Sequence, residues 1–307
     1  MNSNTGILLI GFNRPENTLS QINYLLANQI FDFHVSVDFY DESTANFFLD
    51  NFNSLLRNRL QCQKFTFNIQ NKNLGMVEHI YNAIDDRFKE FEQMLIFEDD
   101  VLLHVNTIAG MIRALSKFKD YQDFGAICSY SYLLGKNFIF RRFANLWRRS
   151  IYFSCWGWGT TRDIWLKYST SLDPKIFLDN SRNMTNWNKL SKQKKLTWIG
   201  RLNKTNANPN RTWDIQFQMM LFKLNKVVYT PIFNTSGNTG FGDSRSAHTK
   251  EKRPFWVHDF FIQRKMRDKL MQNTLITNFL QKIDSFTVGG DSNIIKFVSK
   301  IRNLKLI

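Results

Sequence analysis

The sequence predicts an α/β fold, in which helices cover both faces of a largely parallel β-sheet. Short apolar segments alternate with segments of helical periodicity along the N-terminal third of the chain. This alternation is typical of parallel sheets, because a crossover helix returns the chain to the edge where the next strand begins. Hydrophobic residues make up 43% of the 307 residues, which is enough to form a large core.

Five short segments predict strands. Each is apolar or alternates apolar with polar residues, and each is followed by polar or turn-forming residues that end the strand. The predicted strands cover residues 7–12, 33–38, 64–69, 93–97 and 226–230.

Helices are predicted between these strands. Pro15 is a favourable first helical residue because its ring fixes φ near the helical value. Apolar residues then recur at helical spacing as far as Ala27. Further helical patterns cover 44–60 and 76–91, and another follows Trp213.

The charge and cysteine content restrict the environment of the protein. Lysine and arginine outnumber aspartate and glutamate by 41 to 26, giving a net charge of +15. Such a surplus indicates a polyanionic partner: nucleic acid, an anionic membrane surface or a phosphate-bearing substrate. The three cysteines are too widely spaced to predict disulfides or a zinc site. The chain has no signal segment and no apolar run of about 18 residues, so a cytosolic location is expected.

Three adjacent carboxylates, Glu98, Asp99 and Asp100, directly follow the predicted strand 93–97. Such carboxylates repel one another unless a cation or hydrogen-bond donors compensate. Mg²⁺ and Mn²⁺ prefer oxygen ligands and commonly bridge a carboxylate and a diphosphate. A solvated acidic turn is the alternative interpretation, but the strand-end position favours a ligand site.

Two other predicted strands also end in polar side chains. Asn13 and Arg14 follow the first strand, and Asp38 ends the second. Arg14 suits a phosphate or a base, and Asp38 suits the hydroxyls of a ribose or the edge of a base. The alternatives are a surface salt bridge for Arg14 and a turn cap for Asp38.

Several residues farther along the chain have two interpretations. Asp214, beside Trp213, is a candidate general base, or simply a carboxylate that stabilises a helix N-terminus. His79 and His248, taken alone, are more often structural than functional. The glycine-rich loop 237–243 lacks the lysine of a phosphate-binding loop, so it is either a lid over substrate or an ordinary loop.

The C-terminal segment 293–307 predicts a basic amphipathic helix, because apolar residues recur on one helical face among four cationic residues. Such a helix suits an anionic membrane surface. The alternative is a helix that packs on its own domain.

Taken in order, these motifs resemble GT-A-fold glycosyltransferases, especially N-acetylglucosaminyltransferase I and bacterial transferases of surface-polysaccharide assembly. The resemblance covers roughly residues 5–250. The matching segments are 7–10 with Asn13 and Arg14, 37–38, 75–88 with His79, 95–101, 156–158 with 164–165, 213–214, and 240–249.

The resemblance implies a GT-A, Rossmann-like mixed sheet flanked by helices, with a C-terminal helical extension. It assigns the metal, Mn²⁺ or Mg²⁺, to Asp100, which belongs to the Glu-Asp-Asp form of the DXD motif. By the same resemblance, Glu98 and Asp99 bind hydroxyls of the sugar and ribose. The remaining donor-binding residues that it implies are Gly11, Asn13, Arg14, Asp38 and His79.

The acceptor side follows from the same resemblance. Asp214 matches the catalytic base, although Ile215 stands where the transferase I pattern has a second acidic residue. The implied acceptor-side residues are Trp156, Gly157, Trp158 and Trp213, and the implied closing loop contains Gly240, Gly242 and His248.

The resemblance also implies a domain organisation and a reaction. Residues 1–250 form the transferase domain, with a nucleotide-sugar-binding half at 1–104 and an acceptor-binding half at 105–250. Residues 251–307 form a basic extension that suits membrane association. The reaction is an inverting transfer of a hexosyl or N-acetylhexosaminyl group from a nucleotide sugar, with a UDP-sugar favoured. The acceptor is a growing, lipid-linked glycan of lipopolysaccharide, capsule or O-antigen, at the inner face of the plasma membrane.

Two other functions are compatible with parts of the sequence. A sugar-phosphate nucleotidyltransferase uses a similar sheet, but it needs a glycine-rich, lysine-bearing loop after the first strand, which 11–15 lacks. A non-enzymatic basic module that binds membrane or nucleic acid needs no acidic cluster at strand ends. Nucleic acid is therefore not expected as a partner.

Overall fold

The computed structural model describes residues 4–30, 32–58, 65–131, 143, 145–246 and 265–289. The predicted helix at 293–307 and His248 lie outside these ranges. The strands are β1 (Thr5–Gly11), β2 (Phe33–Val37), β3 (Phe65–Ile69), β4 (Gln93–Glu98), β5 (Val101–Leu102), β6 (Phe124–Cys128), β7 (Trp147–Ser150), β8 (Trp158–Thr161), β9 (Val227–Pro231) and β10 (Gly237–Asn238).

Helices pack around these strands. Helix α1 has proline at its first position and buries an apolar face that includes Ile22 and Leu25. The helices are α1 (Pro15–Ala27), α2 (Glu42–Asn58), α3 (Met76–Phe88), α4 (Val105–Phe118), α5 (Arg162–Trp165), α6 (Pro174–Asp179), α7 (Thr185–Asn188), α8 (Lys192–Ala207), α9 (Asp214–Lys223) and α10 (Thr274–Gly289).

Eight strands form one mixed sheet in the order β3-β2-β1-β4-β8-β6-β9-β7. The first four of these strands are parallel, with Leu8 of β1 opposite both His34 of β2 and Ile96 of β4. Strand β8 then runs antiparallel between β4 and β6, and β7 runs antiparallel along β9 at the edge. The predicted α/β fold class, a mixed sheet flanked by helices, is therefore confirmed.

A small second sheet lies immediately beyond the acidic triplet. Strands β5 and β10 pair antiparallel, so that Asn238 lies opposite Val101. The backbone N–H of Thr239 also donates a hydrogen bond of 2.8 Å to the carbonyl oxygen of Asp100. This pairing holds the loop that follows β10 against the end of β4.

Large aromatic side chains fill the core beneath the carboxyl end of β4. The ring of Trp158 stacks on Trp213 with centroids 5.1 Å apart and lies 5.0 Å from the ring of Phe217. Trp158 and Phe217 are fully buried. Because Trp213 immediately precedes α9, this packing fixes the position at which α9 begins.

Helix α10 docks on the edge of the sheet through a buried ion pair. The guanidinium of Arg148 on β7 donates hydrogen bonds of 2.6 and 2.8 Å to the two carboxylate oxygens of Asp284. Ser150 donates a further hydrogen bond of 2.7 Å to the same carboxylate.

The predicted division of the chain at residue 250 stays a prediction. None of the helices in the described ranges combines the length and apolar character that crossing a bilayer requires.

His34 gives the fold an expected pH dependence. Burial, and next the charge of Arg87, lower the pKa of His34 from 6.5 to about 4. The unfolded chain therefore binds more protons between these two pH values, so the stability of the folded state falls as pH drops through this window. Its Nδ1 lies 2.5 Å from the Thr66 hydroxyl, an arrangement that an asparagine oxygen can imitate.

We expect the free energy of unfolding to fall by about 1–2 kcal/mol more in the wild type than in His34→Asn as pH is lowered from 6.5 to 4. Urea denaturation of both proteins at several pH values measures this difference in slope. Identical slopes in the two proteins would show that His34 does not contribute.

Candidate functional site

A cavity of about 600 Å³ lies at the carboxyl ends of β1, β2 and β4. This is where parallel α/β sheets bind ligands, and the volume suits a substrate-sized molecule. Its lining residues come from strand ends, the start of α3, α8, the start of α9 and the loop after β10. They include Gly11, Asn13, Arg14, Asp38, His79, Glu98, Asp99, Asp100, Trp156, Arg201, Lys204, Arg211, Thr212, Trp213, Asp214, Asn238 and Arg245.

Arg14 pairs with two members of the acidic triplet. Its guanidinium hydrogen-bonds the carboxylate of Asp99 and lies 3.3 Å from a carboxylate oxygen of Asp100. All three side chains are largely buried. Within the described residues, one buried carboxylate oxygen of Glu98, of Asp99 and of Asp100 accepts no hydrogen bond, and neither Nε nor Nη1 of Arg14 donates one. The site therefore has both hydrogen-bond acceptors and hydrogen-bond donors that are unused within the described residues.

Burial and mutual repulsion perturb the triplet. Burial, and then the charges of Asp100, Asp99 and Asp214, raise the pKa of Glu98 well above its usual value. Burial raises the pKa of Asp99 to about 6, although Arg14 opposes the shift. Burial likewise raises the pKa of Asp100 against the opposing charge of Arg14. A bound cation would favour the ionised forms of these groups.

Gln21 of α1 positions the backbone of the triplet. Its side-chain amide donates hydrogen bonds of 2.8 Å to the carbonyl of Glu98 and 2.7 Å to that of Val101. These two bonds span the turn that presents Asp99 and Asp100. Sequence reasoning missed Gln21, because its contact with the triplet depends on how α1 packs.

Asp38 and His79 line the cavity while also making structural hydrogen bonds. The Asp38 carboxylate accepts bonds from the backbone N–H groups of Phe39, Leu74 and Gly75 at 2.9 to 3.0 Å. The cap interpretation of Asp38 therefore describes its contacts in the structure. His79 Nε2 lies 2.9 Å from the Ser36 hydroxyl, and burial lowers the pKa of His79 even though Asp38 opposes the shift.

Asn13 and Arg245 join the loop after β10 to the start of α1. The side-chain amide of Asn13 donates a hydrogen bond of 3.1 Å to the carbonyl of Arg245. The guanidinium of Arg245 forms ion pairs of 2.5 Å with Glu16 and 3.0 Å with Asp243. Gly11 allows α1 to pack closely here, because a Cβ at this position would lie 2.7 Å from the Thr18 hydroxyl.

The structure separates the predicted acceptor-side residues. Trp156 lines the cavity, where its ring meets Tyr130 at 4.5 Å and Phe241 at 5.5 Å. Trp158 does not line it, because its side chain is fully buried in the core. Its acceptor-side role stays a prediction. Gly157 has a φ of +78° and its position leaves no space for a Cβ beside Ser129, so its contribution is to backbone geometry.

Gly240 and Gly242, the two predicted closing-loop residues that the structure describes, lie near the cavity without lining it. Gly240 donates its backbone N–H to the side chain of Asn238 at 2.8 Å, and Asn238 itself lines the cavity. Gly242 has a φ of +81° in the exposed turn beyond. Arg245 and Ser246 of the same loop do line the cavity. They belong to the matched segment 240–249, but neither was identified from the sequence as a site residue.

Asp214 enters the cavity from the first position of α9. Its carboxylate accepts a hydrogen bond from the Thr212 hydroxyl, and its charge contributes to the raised pKa of Glu98. Asp214 therefore lies within electrostatic range of the triplet. The neighbouring Ile215 also lines the cavity, so this position supplies an apolar surface beside the carboxylate.

Cations line the part of the cavity formed by α8 and the residues after it. Arg201 and Lys204 lie on α8, and Arg211 follows that helix. We call these three residues the basic wall. Sequence reasoning did not identify them, although the absence of Asp and Glu from 180–211 was a signal of local positive charge.

The residues fit a divalent cation that a substrate helps to bind. In the described part of the chain, no three His, Cys, Asp or Glu side chains converge as ligands. Asp100, however, offers a buried carboxylate oxygen without a hydrogen-bond partner in these residues. Mg²⁺ is typically held by one or two carboxylates together with substrate phosphates, so a complete protein cage is not required.

No protein-family model matches the chain, and no curated protein sequence matches it. Among solved structures, it is similar to a mannosyltransferase from Pyrobaculum calidifontis in complex with GDP-Man and Mn²⁺, with 11% identity and a TM-score of 0.38. That similarity covers 72% of this chain and 69% of the other. A protein described as a glucose-1-phosphate thymidylyltransferase from Bacillus anthracis, in complex with sucrose, has 12% identity and a TM-score of 0.26. Here the coverage is 40% of this chain and 53% of the other.

Proposed function

We propose that this protein is a metal-dependent glycosyltransferase that moves a sugar from a nucleotide-sugar donor to a hydroxyl of a glycan. One observation carries the proposal. A single strand-end cavity of about 600 Å³ brings together the carboxylate triplet, several cations and a separate carboxylate, Asp214. Sugar hydroxyls, a diphosphate and an attacking hydroxyl require these three kinds of group.

The triplet and Arg14 suit the donor. Asp100 would hold Mn²⁺ or Mg²⁺, which supplies charge stabilisation for the departing diphosphate. The unpaired oxygens of Glu98 and Asp99 can accept hydrogen bonds from sugar and ribose hydroxyls. Arg14 has two nitrogens without hydrogen bonds in the described residues, and a phosphate oxygen can accept from them.

Asp214 suits the acceptor. As general base it takes the proton of the acceptor hydroxyl as that oxygen forms a bond to the anomeric carbon. The bond between that carbon and the diphosphate oxygen breaks, and the nucleoside diphosphate departs with the electron pair. Attack from the face opposite the leaving group inverts the anomeric configuration. Trp156 offers an apolar ring to the C–H groups of a sugar.

The finer substrate assignments form part of the same proposal. A UDP-sugar is the favoured donor, and a lipid-linked surface glycan is the favoured acceptor. The formal net charge of +15 supports contact with an anionic membrane surface, where such an acceptor lies.

A thermal-shift panel of nucleotide sugars, with and without Mn²⁺, tests the donor site. At about 100 times its Kd, a ligand stabilises the fold by ~2.7 kcal/mol, which corresponds to a rise in Tm of roughly 5 °C. We expect one nucleotide sugar to give such a shift with Mn²⁺ and a smaller shift without it. Asp100→Asn should remove the increment that depends on the metal.

Asp50→Asn is the matched control, because it removes an exposed carboxylate of α2 that does not line the cavity. It should retain both shifts. If no nucleotide sugar stabilises the wild type at any Mn²⁺ concentration, the proposed function is wrong.

A further inference from the structure

The basic wall, Arg201, Lys204 and Arg211, belongs to a strongly basic segment. Residues 180–211 contain no Asp or Glu, so no carboxylate within this segment can neutralise the wall. Among the ion pairs of the described residues, none includes Arg201 or Lys204. Arg201 and Lys204 lie one helical turn apart and both line the cavity. Because neither forms an ion pair within the described residues, they favour an anionic ligand.

Arg201 is held in place before any ligand arrives. Its guanidinium donates a hydrogen bond of 2.8 Å to the carbonyl of Val288 on α10 and lies 4.7 Å from the ring centroid of Trp198. On the same helix, Lys194 donates to the carbonyl of Ser285. The contacts of Arg201 with Val288 and Trp198 reduce the side-chain entropy that Arg201 loses on binding a carboxylate or phosphate, because its planar guanidinium is already oriented.

The position of the wall along the chain connects it with the acceptor. Arg211 and Thr212 lead directly into Asp214, the proposed base, and all three line the cavity. Other cations, Arg14 and Arg245, line the part of the cavity formed by the strand ends and the loop after β10. Arg245 is already paired with Glu16 and Asp243, but Nε and Nη1 of Arg14 donate no hydrogen bond within the described residues, so Arg14 can bind a donor phosphate. The basic wall is then available for a different anion.

We propose that the acceptor carries an anionic group, a phosphate or a carboxylate, which Arg201 and Lys204 bind while Asp214 takes the proton of the attacking hydroxyl. The inference rests on the proposed function and names its acceptor class. The shared chemistry is an oxyanion attached to the glycan, and its source is either a sugar phosphate or a uronic acid.

The test compares matched acceptors at saturating donor. In each hexose series, a neutral methyl glycoside, its 6-phosphate and its uronate are assayed for transfer, and kcat/KM is measured for each. We expect the wild type to prefer at least one anionic member over the neutral one by about tenfold or more, as charge-assisted hydrogen bonds imply. The phosphate and uronate arms identify the source of the anion.

The double variant Arg201→Gln/Lys204→Gln should reduce this preference about tenfold. The control, Lys192→Gln/Lys195→Gln, removes two charges from the same helix at positions that do not line the cavity and should retain the wild-type preference. The KM for the donor is also measured in every variant, because it would rise if the basic wall bound the nucleotide-sugar donor instead of the acceptor.

Three results would overturn the inference. The first is that the wild type transfers to neutral and charged acceptors equally well. The second is that the preference for anionic acceptors survives in the double variant. The third is that the double variant raises the KM for the donor by the same factor with neutral and with anionic acceptors. Each of these leaves the protein a glycosyltransferase. Absence of both nucleotide-sugar binding and transfer is a different outcome, which would overturn the proposed function together with this inference.

Discussion

Asp214→Asn is expected to lower the rate of sugar transfer by about 10²–10⁴-fold, while nucleotide-sugar binding persists. Asparagine keeps the size of the side chain but cannot take a proton from the acceptor hydroxyl. Its amide oxygen can still accept the hydrogen bond that Thr212 donates to Asp214. The local structure should therefore survive, and the loss should appear in kcat of transfer.

The alternative role of Asp214 is to stabilise the N-terminus of α9 through the helix dipole, an effect of about 0.3–1 kcal/mol. Glu78 provides the control, because it is an acidic residue in the first turn of α3 and does not line the cavity. Glu78→Gln should lose a similar small amount of stability and retain turnover. Normal turnover in Asp214→Asn would move the base to another residue.

The convergence of polar strand ends could be predicted from the sequence. Hydrophobic periodicity places the strands, and parallel strands end at one edge of a sheet, so Arg14, Asp38 and Asp100 had to meet there. All three line the cavity in the structure. Their roles in binding and catalysis stay predictions, because position alone does not show which ligand they contact.

The tryptophans near β8 show where a local pattern fails. Trp156 and Trp158 are two residues apart, a spacing that places side chains on the same face of a regular strand. Gly157, however, has a φ of +78°, and β8 begins only at Trp158. The chain turns at this glycine, so Trp156 reaches the cavity while Trp158 packs into the core.

The basic wall could not be located from the sequence, because no strand-end rule applies to a helix that packs across the cavity. The absence of acidic residues from 180–211 indicated positive charge, but the face of α8 that lines the cavity depends on tertiary packing. The contact between Arg201 and Val288 of α10 joins residues far apart in the chain. The pairing of β5 with β10, which brings Arg245 to the site, is equally non-local.

Asp284→Ala is expected to lower the free energy of unfolding by about 3–5 kcal/mol. The Arg148 and Asp284 side chains are 0% exposed, and the carboxylate accepts two hydrogen bonds from the guanidinium. Removing Asp284 leaves a buried cation whose remaining acceptor in the described residues is the Ser131 hydroxyl, at 3.1 Å. Urea denaturation of the two proteins measures the difference.

Asp268→Ala is the matched control, because it breaks a pair with Arg113 in which the two side chains are 36% and 37% exposed. Solvent screens such a pair, and its loss should cost less than about 1 kcal/mol. A second variant, Arg148→Met/Asp284→Leu, removes both buried charges and should recover most of the stability lost in Asp284→Ala. Equal costs for Asp284→Ala and Asp268→Ala would show that the buried pair does not hold α10.

The same substitution also bears on the cavity. Asp284 anchors α10, and α10 supplies the carbonyl of Val288 that orients Arg201. If α10 loosens, Arg201 keeps its charge but loses that fixed orientation, so binding an oxyanion costs more side-chain entropy. We therefore expect Asp284→Ala to weaken the preference for anionic acceptors at temperatures where the protein remains folded, and Asp268→Ala to leave it unchanged.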